Sequence, residues 1–175
     1  MELWAGCMKN MSKQSEIKSN SPPKESLRLP TGQVFEVAIY GVFLFAAGLV
    51  LPVFLIFIVR FTGYSEIVEE IAKALVVLFL ILNFSALKQK IVAGILFGFL
   101  FGLSENFFYL NQIFQLGDFG VFWQRFLWTV PMHIITVLVM VFAGSVKKWV
   151  LIFGLVGAVI LHALFNSIAV EFLMR

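Results

Sequence analysis

The residues of this sequence that could do chemistry are four glutamates, a lysine, two histidines and an asparagine set in apolar surroundings. Glu66, Glu69, Glu70 and Lys73 fall within eight positions. Glu69 and Lys73 are i,i+4 with the acid first, the favourable order for an ion pair. Glu105 is followed by Asn106, His133 follows Pro131 and lies between Thr129 and Thr136, and His162 precedes Asn166 by one helical turn. A carboxylate can activate water as a general base with a histidine assisting, and His and Asn donors can stabilise an oxyanion. Glu, two His and Asn therefore suffice for hydrolysis of a peptide bond. One Glu and two His could equally hold Zn²⁺ with an open fourth position, and that set would be Glu105, His133 and His162.

Other hydrolytic designs fit poorly. A pair of catalytic aspartates is excluded, because Asp118 is the only aspartate. Neither histidine is followed by Glu, so no His-Glu-x-x-His helix exists. Ser104 lacks the glycine expected after a nucleophilic serine.

The elements that must carry these residues are membrane helices. Of 175 residues, 61% are apolar, 13% are charged and 21 are Phe. A soluble domain is typically about 45–50% apolar and about 25% charged. The chain has too little polar surface for a cytosolic enzyme or a nucleic-acid-binding domain. The net charge of +3 is too small to argue for nucleic acid, and the single Cys7 allows no intramolecular disulfide. Five apolar segments, each near the roughly 20 residues that cross a bilayer, are expected at 36–60, 65–84, 91–110, 122–143 and 150–172. Ser65 is the expected N-cap of the second. The expected fold is an all-α polytopic bundle of about five transmembrane helices over 34–175. Residues 1–33, polar and without period, read as a disordered cytoplasmic tail.

Basic residues set the expected orientation. Lys18, Lys24, Arg28, Lys88, Lys90, Lys147 and Lys148 fall on one side, and Arg60, Arg125 and Arg175 on the other. This predicts a cytoplasmic N-terminus and an extracytoplasmic C-terminus in the cell membrane.

Depth then groups the polar residues. At about 1.5 Å per residue from the outer end, Glu70 and Glu105 lie about 8 Å deep, Asn166 about 9 Å, Lys73 about 12 Å, His162 about 15 Å and His133 about 17 Å. Helices of alternating direction thus place their ionisable groups in the same half of the bilayer. Such groups cost roughly 2.5–3.5 kcal/mol each at a span's centre. One polar cavity open to the outside is expected. Gly94, Gly98, Gly102 and Asn106, and again Gly154, Ala158, His162 and Asn166, recur every four residues. These stripes read as close-packing faces.

The motifs in order resemble those of a known family. Glu69-Glu70-Ile71-Ala72-Lys73 is similar to its Glu-Glu-x-x-Lys motif. Phe101-Gly102-Leu103-Ser104-Glu105-Asn106 is similar to its Phe-x-x-x-Glu-Asn motif. Val130-Pro131-Met132-His133 resembles its third element, and His162-Ala163-Leu164-Phe165-Asn166 its His-x-x-x-Asn motif. The family is that of the PrsW intramembrane proteases, distant relatives of the CAAX prenyl endopeptidases and bacteriocin-related membrane proteases. The resemblance covers residues 65–170. It implies a site-1 protease that clips a membrane-anchored protein, such as an anti-sigma factor, near the extracytoplasmic face.

On that reading Glu69 or Glu70 is the general base and Glu105 shares or tunes the proton. His133 orients the water, and His162 and Asn166 hold the oxyanion. Lys73 supports the site by pairing with Glu69. Metal-free glutamate catalysis is preferred over Zn²⁺, because Asn is a poor zinc ligand. The rival readings are a CAAX-type endopeptidase and a non-catalytic carrier, immunity or scaffold protein.

Overall fold

The computed structural model describes residues 31–116 and 119–173, and every long element among them is a helix. These are α1 (Thr31–Thr62), α2 (Ser65–Asn83), α3 (Leu87–Leu116), α4 (Phe119–Val146) and α5 (Leu151–Leu173), with a single 3-10 turn at Lys148–Val150 before α5. The expected tail lies outside the described residues up to position 30. Its last three residues already belong to α1.

Four stretches are long and apolar enough to cross a membrane: Phe35–Thr62, Leu87–Leu110, Phe119–Val146 and Lys148–Ile168. The chain is therefore a helical membrane protein. The second expected span, α2, forms as a helix but does not meet that standard. Glu66, Glu69, Glu70 and Lys73 crowd its first turns. It is nonetheless packed inside the bundle, with Glu70 and Lys73 fully buried.

The helix ends follow local chemistry. Gly63 takes φ +74° and its N–H bonds to the Val59 carbonyl at 2.8 Å, closing α1 with a left-handed residue that glycine adopts at low cost. Ser65 is the first residue of α2, not its cap. Tyr64 holds the cap position with no side-chain bond. Pro52 and Pro131 sit inside α1 and α4, which run through them.

From Val37 onward the chain is one compact unit. Helix α4 lies centrally, against α2, α3 and α5. The apolar end of the core joins Val77, Leu80 and Ile81 of α2, Phe97 of α3, and Val137, Met140 and Val141 of α4. Helix α1 buries little beyond Leu44 and Leu55, and exposes Phe45, Phe54 and Phe57. That suits a framing helix facing lipid. The Ser104 hydroxyl donates to the Leu49 carbonyl at 2.7 Å and ties α3 to α1 near Pro52.

The glycine stripe of α3 determines how closely α4 approaches. A Cβ on Gly98 would lie 2.8 Å from Ile134 Cα and 3.0 Å from the His133 carbonyl oxygen. A Cβ on Gly102 would lie 2.9 Å from His133 Cδ2 and 3.0 Å from Val130 Cα. Backbone cannot yield as a flexible side chain can, so a methyl group at Gly98 must separate the helices. Gly98→Ala is expected to cost about 1–3 kcal/mol, the usual range for overpacking. Thermal unfolding in detergent micelles tests this; an unchanged midpoint would show that the close approach is dispensable.

Candidate active site

The close α3–α4 approach puts Glu105 and His133 in contact. His133 Nε2 lies 2.5 Å from Glu105 Oε2. Depth read from the apolar segments alone separates these two residues. In the structure α3 runs on to Leu116 and α4 begins at Phe119. Both residues then lie roughly 17–21 Å from those helix ends at 1.5 Å per residue.

A hydrogen-bonded relay continues from this pair across the bundle. Lys73 Nζ lies 2.7 Å from His133 Nδ1 and 2.6 Å from Glu70 Oε1, and His162 Nδ1 lies 2.8 Å from that same Glu70 oxygen. The partners assign the tautomers. An ammonium only donates, so His133 accepts at Nδ1 and donates from Nε2 to Glu105. A carboxylate only accepts, so His162 donates from Nδ1 and presents an unprotonated Nε2. The Lys73 ammonium also lies 4.6 Å from the centre of the Phe101 ring, a cation–π contact. Lys73 therefore pairs with Glu70, three residues before it, and not with Glu69 as its i,i+4 spacing suggested. Both partners are wholly buried, so neither snorkels to water.

Glu69 points elsewhere. Its Oε2 is buried with no hydrogen-bond partner and lies 4.0 Å from His162 Nε2. One atom each from Glu69, Glu105 and His133 lie within 4.8 Å of one another. Among the described residues this is the set able to hold a metal ion. It differs from the expected Glu105, His133 and His162, because His162 Nδ1 is drawn to Glu70 while Glu69 turns inward. Two carboxylates and an imidazole suit a catalytic zinc with one position open. The partnerless Glu69 oxygen is the mark of a donor awaiting a ligand, so the residues fit the ion. To hold it as a neutral imidazole, His133 would release its Nε2 proton to solvent and take one at Nδ1 from Lys73.

Two cavities meet at these acids. The larger, about 560 Å³, is lined by Glu66, Glu69, Glu105, Arg125, His162 and Asn166 together with Trp128, Phe165 and others. The smaller, about 360 Å³, runs from Pro52, Leu55 and Val59 of α1 to the same Glu69 and Glu105. Glu70 lines neither. Asn166, expected beside an oxyanion, lines the larger cavity and donates from Nδ2 to Glu66 Oε1 at 2.9 Å. Asn106 turns away from the acids and donates to the Gly102 carbonyl at 2.8 Å.

Sequence reading passed over two lining residues, Arg125 and Tyr109. Arg125 counted only as a basic flank. A signal was present: Arg125, Thr129 and His133 recur every four residues on one face of α4, as Glu105 and Tyr109 do on α3.

Among the described residues the buried ionisable groups gather toward one end of the bundle, and the other end is largely the apolar core described above. The arrangement is a water-reachable pair of acids beside an imidazole, backed by a buried ion pair. Compared with known proteins, the chain matches over residues 32–174 the model of a family described as PrsW family intramembrane metalloprotease. No curated protein and no solved structure gives a match.

Proposed function

Since the chain belongs to the PrsW family of intramembrane metalloproteases, we propose that it hydrolyses a peptide bond of a membrane-anchored protein at Glu69, Glu105 and His133. The observation that carries the reading is the convergence of those three donors within 4.8 Å, with both acids facing the 560 Å³ cavity. Zinc held there would polarise the scissile carbonyl and bring the acidity of bound water near neutrality. Each residue need give only one donor atom, which leaves the second Glu69 oxygen to take the proton from the attacking water. Lys73 positions the His133 ring from its Nδ1 side, and Glu105 holds Nε2 until an ion takes that place. Glu70 neutralises Lys73 and orients His162. Glu69 in the place expected of His162 supplies a second carboxylate donor, and the site therefore favours zinc over metal-free catalysis.

A carrier needs a polar path to both faces. Here Val77, Leu80, Phe97, Val137 and Met140 pack the far end of the bundle, which favours a site reached from one side.

Co-expression with a panel of epitope-tagged single-span proteins, anti-sigma factors among them, tests the reading by immunoblot. The wild type is expected to clip at least one. Purified protein is expected to carry stoichiometric zinc, with cleavage lost to a strong chelator and restored by zinc. Equal cleavage by Glu105→Gln, or no cleavage of any panel member, overturns the hydrolytic reading. Full cleavage without bound metal overturns its zinc branch alone.

The basic residues further support a cytoplasmic N-terminus, so that the cavity opens extracytoplasmically. A reporter after Arg175 is expected to read extracytoplasmic, and one in the 84–86 link between α2 and α3 cytoplasmic. The reverse result would move the cut to the cytoplasmic half and favour a CAAX-type substrate.

A further inference from the structure

Peptide hydrolysis needs a donor fixed where negative charge develops and not already spent on the protein. The two residues expected to serve are largely committed. His162 gives its Nδ1 proton to Glu70 and turns an unprotonated, accepting Nε2 toward the cavity. Asn166 gives an N–H to Glu66, and what remains is neutral.

Arg125 is charged, and although it attracts Glu105 its Nε–H is unspent. It lines the 560 Å³ cavity beside Glu69 and Glu105. Its guanidinium carbon sits 4.0 Å from the centre of the Tyr109 ring, so the plane is held before any substrate arrives. Its Nε is buried without a hydrogen-bond partner. Its NH2 lies 3.8 Å from Glu105 Oε1, close enough for attraction but too far for a hydrogen bond. A half-buried, aromatic-stacked cation with an unused, buried Nε–H at the wall of a reaction cavity is placed to take an acceptor from outside the chain.

We propose that Arg125 is a catalytic residue that holds the scissile carbonyl oxygen and stabilises the oxyanion; this rests on the proteolytic reading above. The acceptor is a peptide carbonyl and not an acidic side chain, because Glu66, Glu69 and Glu105 line the same cavity and repel a carboxylate. Water oxygen attacks the carbonyl carbon and a C–O bond forms. The carbonyl π pair moves onto its oxygen beside Arg125, and one water proton goes to Glu69. Collapse re-forms the C=O, breaks the C–N bond and passes that proton to the leaving nitrogen. The contact to Arg125 strengthens as charge grows, becoming charge-assisted on both sides, so it favours the transition state over the bound substrate.

The test uses purified full-length protein and the single-span protein that the wild type cleaves. Arg125→Gln is expected to lower kcat about 10²–10³-fold, the usual loss for one oxyanion donor, with KM little changed. Arg125→Lys keeps the charge but not the fork and should fall between. Tyr109→Leu frees the guanidinium and should lower kcat less than Arg125→Gln. Zinc content and the thermal midpoint in detergent are expected to stay at wild-type values; should Arg125→Gln be less stable, Arg125→Lys at a wild-type midpoint is the variant to read. Unimpaired kcat in an active, folded variant overturns the inference alone, as does a rise confined to KM. An inert wild type removes the proteolytic reading and this inference with it.

Discussion

A Glu69→Gln variant is expected to lose cleavage by about 10²–10⁴-fold, the range general-base catalysis supplies, while folding and inserting as the wild type does. Glu69 Oε2 makes no hydrogen bond within the protein, and Glu69 faces both cavities. Removing its charge therefore breaks no hydrogen bond within the protein, but it weakens the metal-capable set and leaves water without its proton acceptor. Glu70→Gln should behave differently. Glu70 lines neither cavity and accepts from both Lys73 and His162, so its loss should lower stability and activity together. Immunoblots of substrate cleavage alongside thermal unfolding in detergent separate the two cases. Wild-type cleavage by Glu69→Gln would show that this carboxylate is not the base.

The largest stability effect is expected at Lys73. Lys73→Met leaves the Glu70 carboxylate wholly buried without its counter-charge, and removing one partner of a buried pair costs about 3–5 kcal/mol. The same change takes the donor from His133 Nδ1, so activity should fall with it. The double variant Lys73→Met/Glu70→Gln removes the orphaned charge and should recover much of the stability but not the activity. Unfolding midpoints of the two single variants and the double variant in the same micelles measure the coupling. Additive losses would show that the pair does not stabilise the bundle.

Much of this protein is written in the linear pattern. The long, nearly charge-free runs of α1, α3, α4 and α5 required membrane helices, because nothing else satisfies backbone polar groups in lipid. The four-residue recurrence of Gly94, Gly98 and Gly102 marked a face for close approach, and α4 lies on it. The ionisable residues could be assigned to one end of the bundle from their positions in antiparallel helices alone.

Pairing was not legible. Glu69 and Glu70 are neighbours in sequence, about 100° apart around a helix. Only the packing of α4 and α5 decides which of them meets Lys73 and His162 and which faces the cavity. The metal-capable set changed from His162 to Glu69 for that reason. Arg125 was hidden by its chemistry, since a basic residue in the first turns of an apolar helix reads as a flank. Tyr109, one turn beyond Glu105 on another helix, turns Arg125 into a wall of the site. Sequence determined the faces, because a helix repeats every 3.6 residues; tertiary structure decided the partners, because contact at 2.5–2.8 Å depends on how far helices approach and rotate, which no single helix specifies.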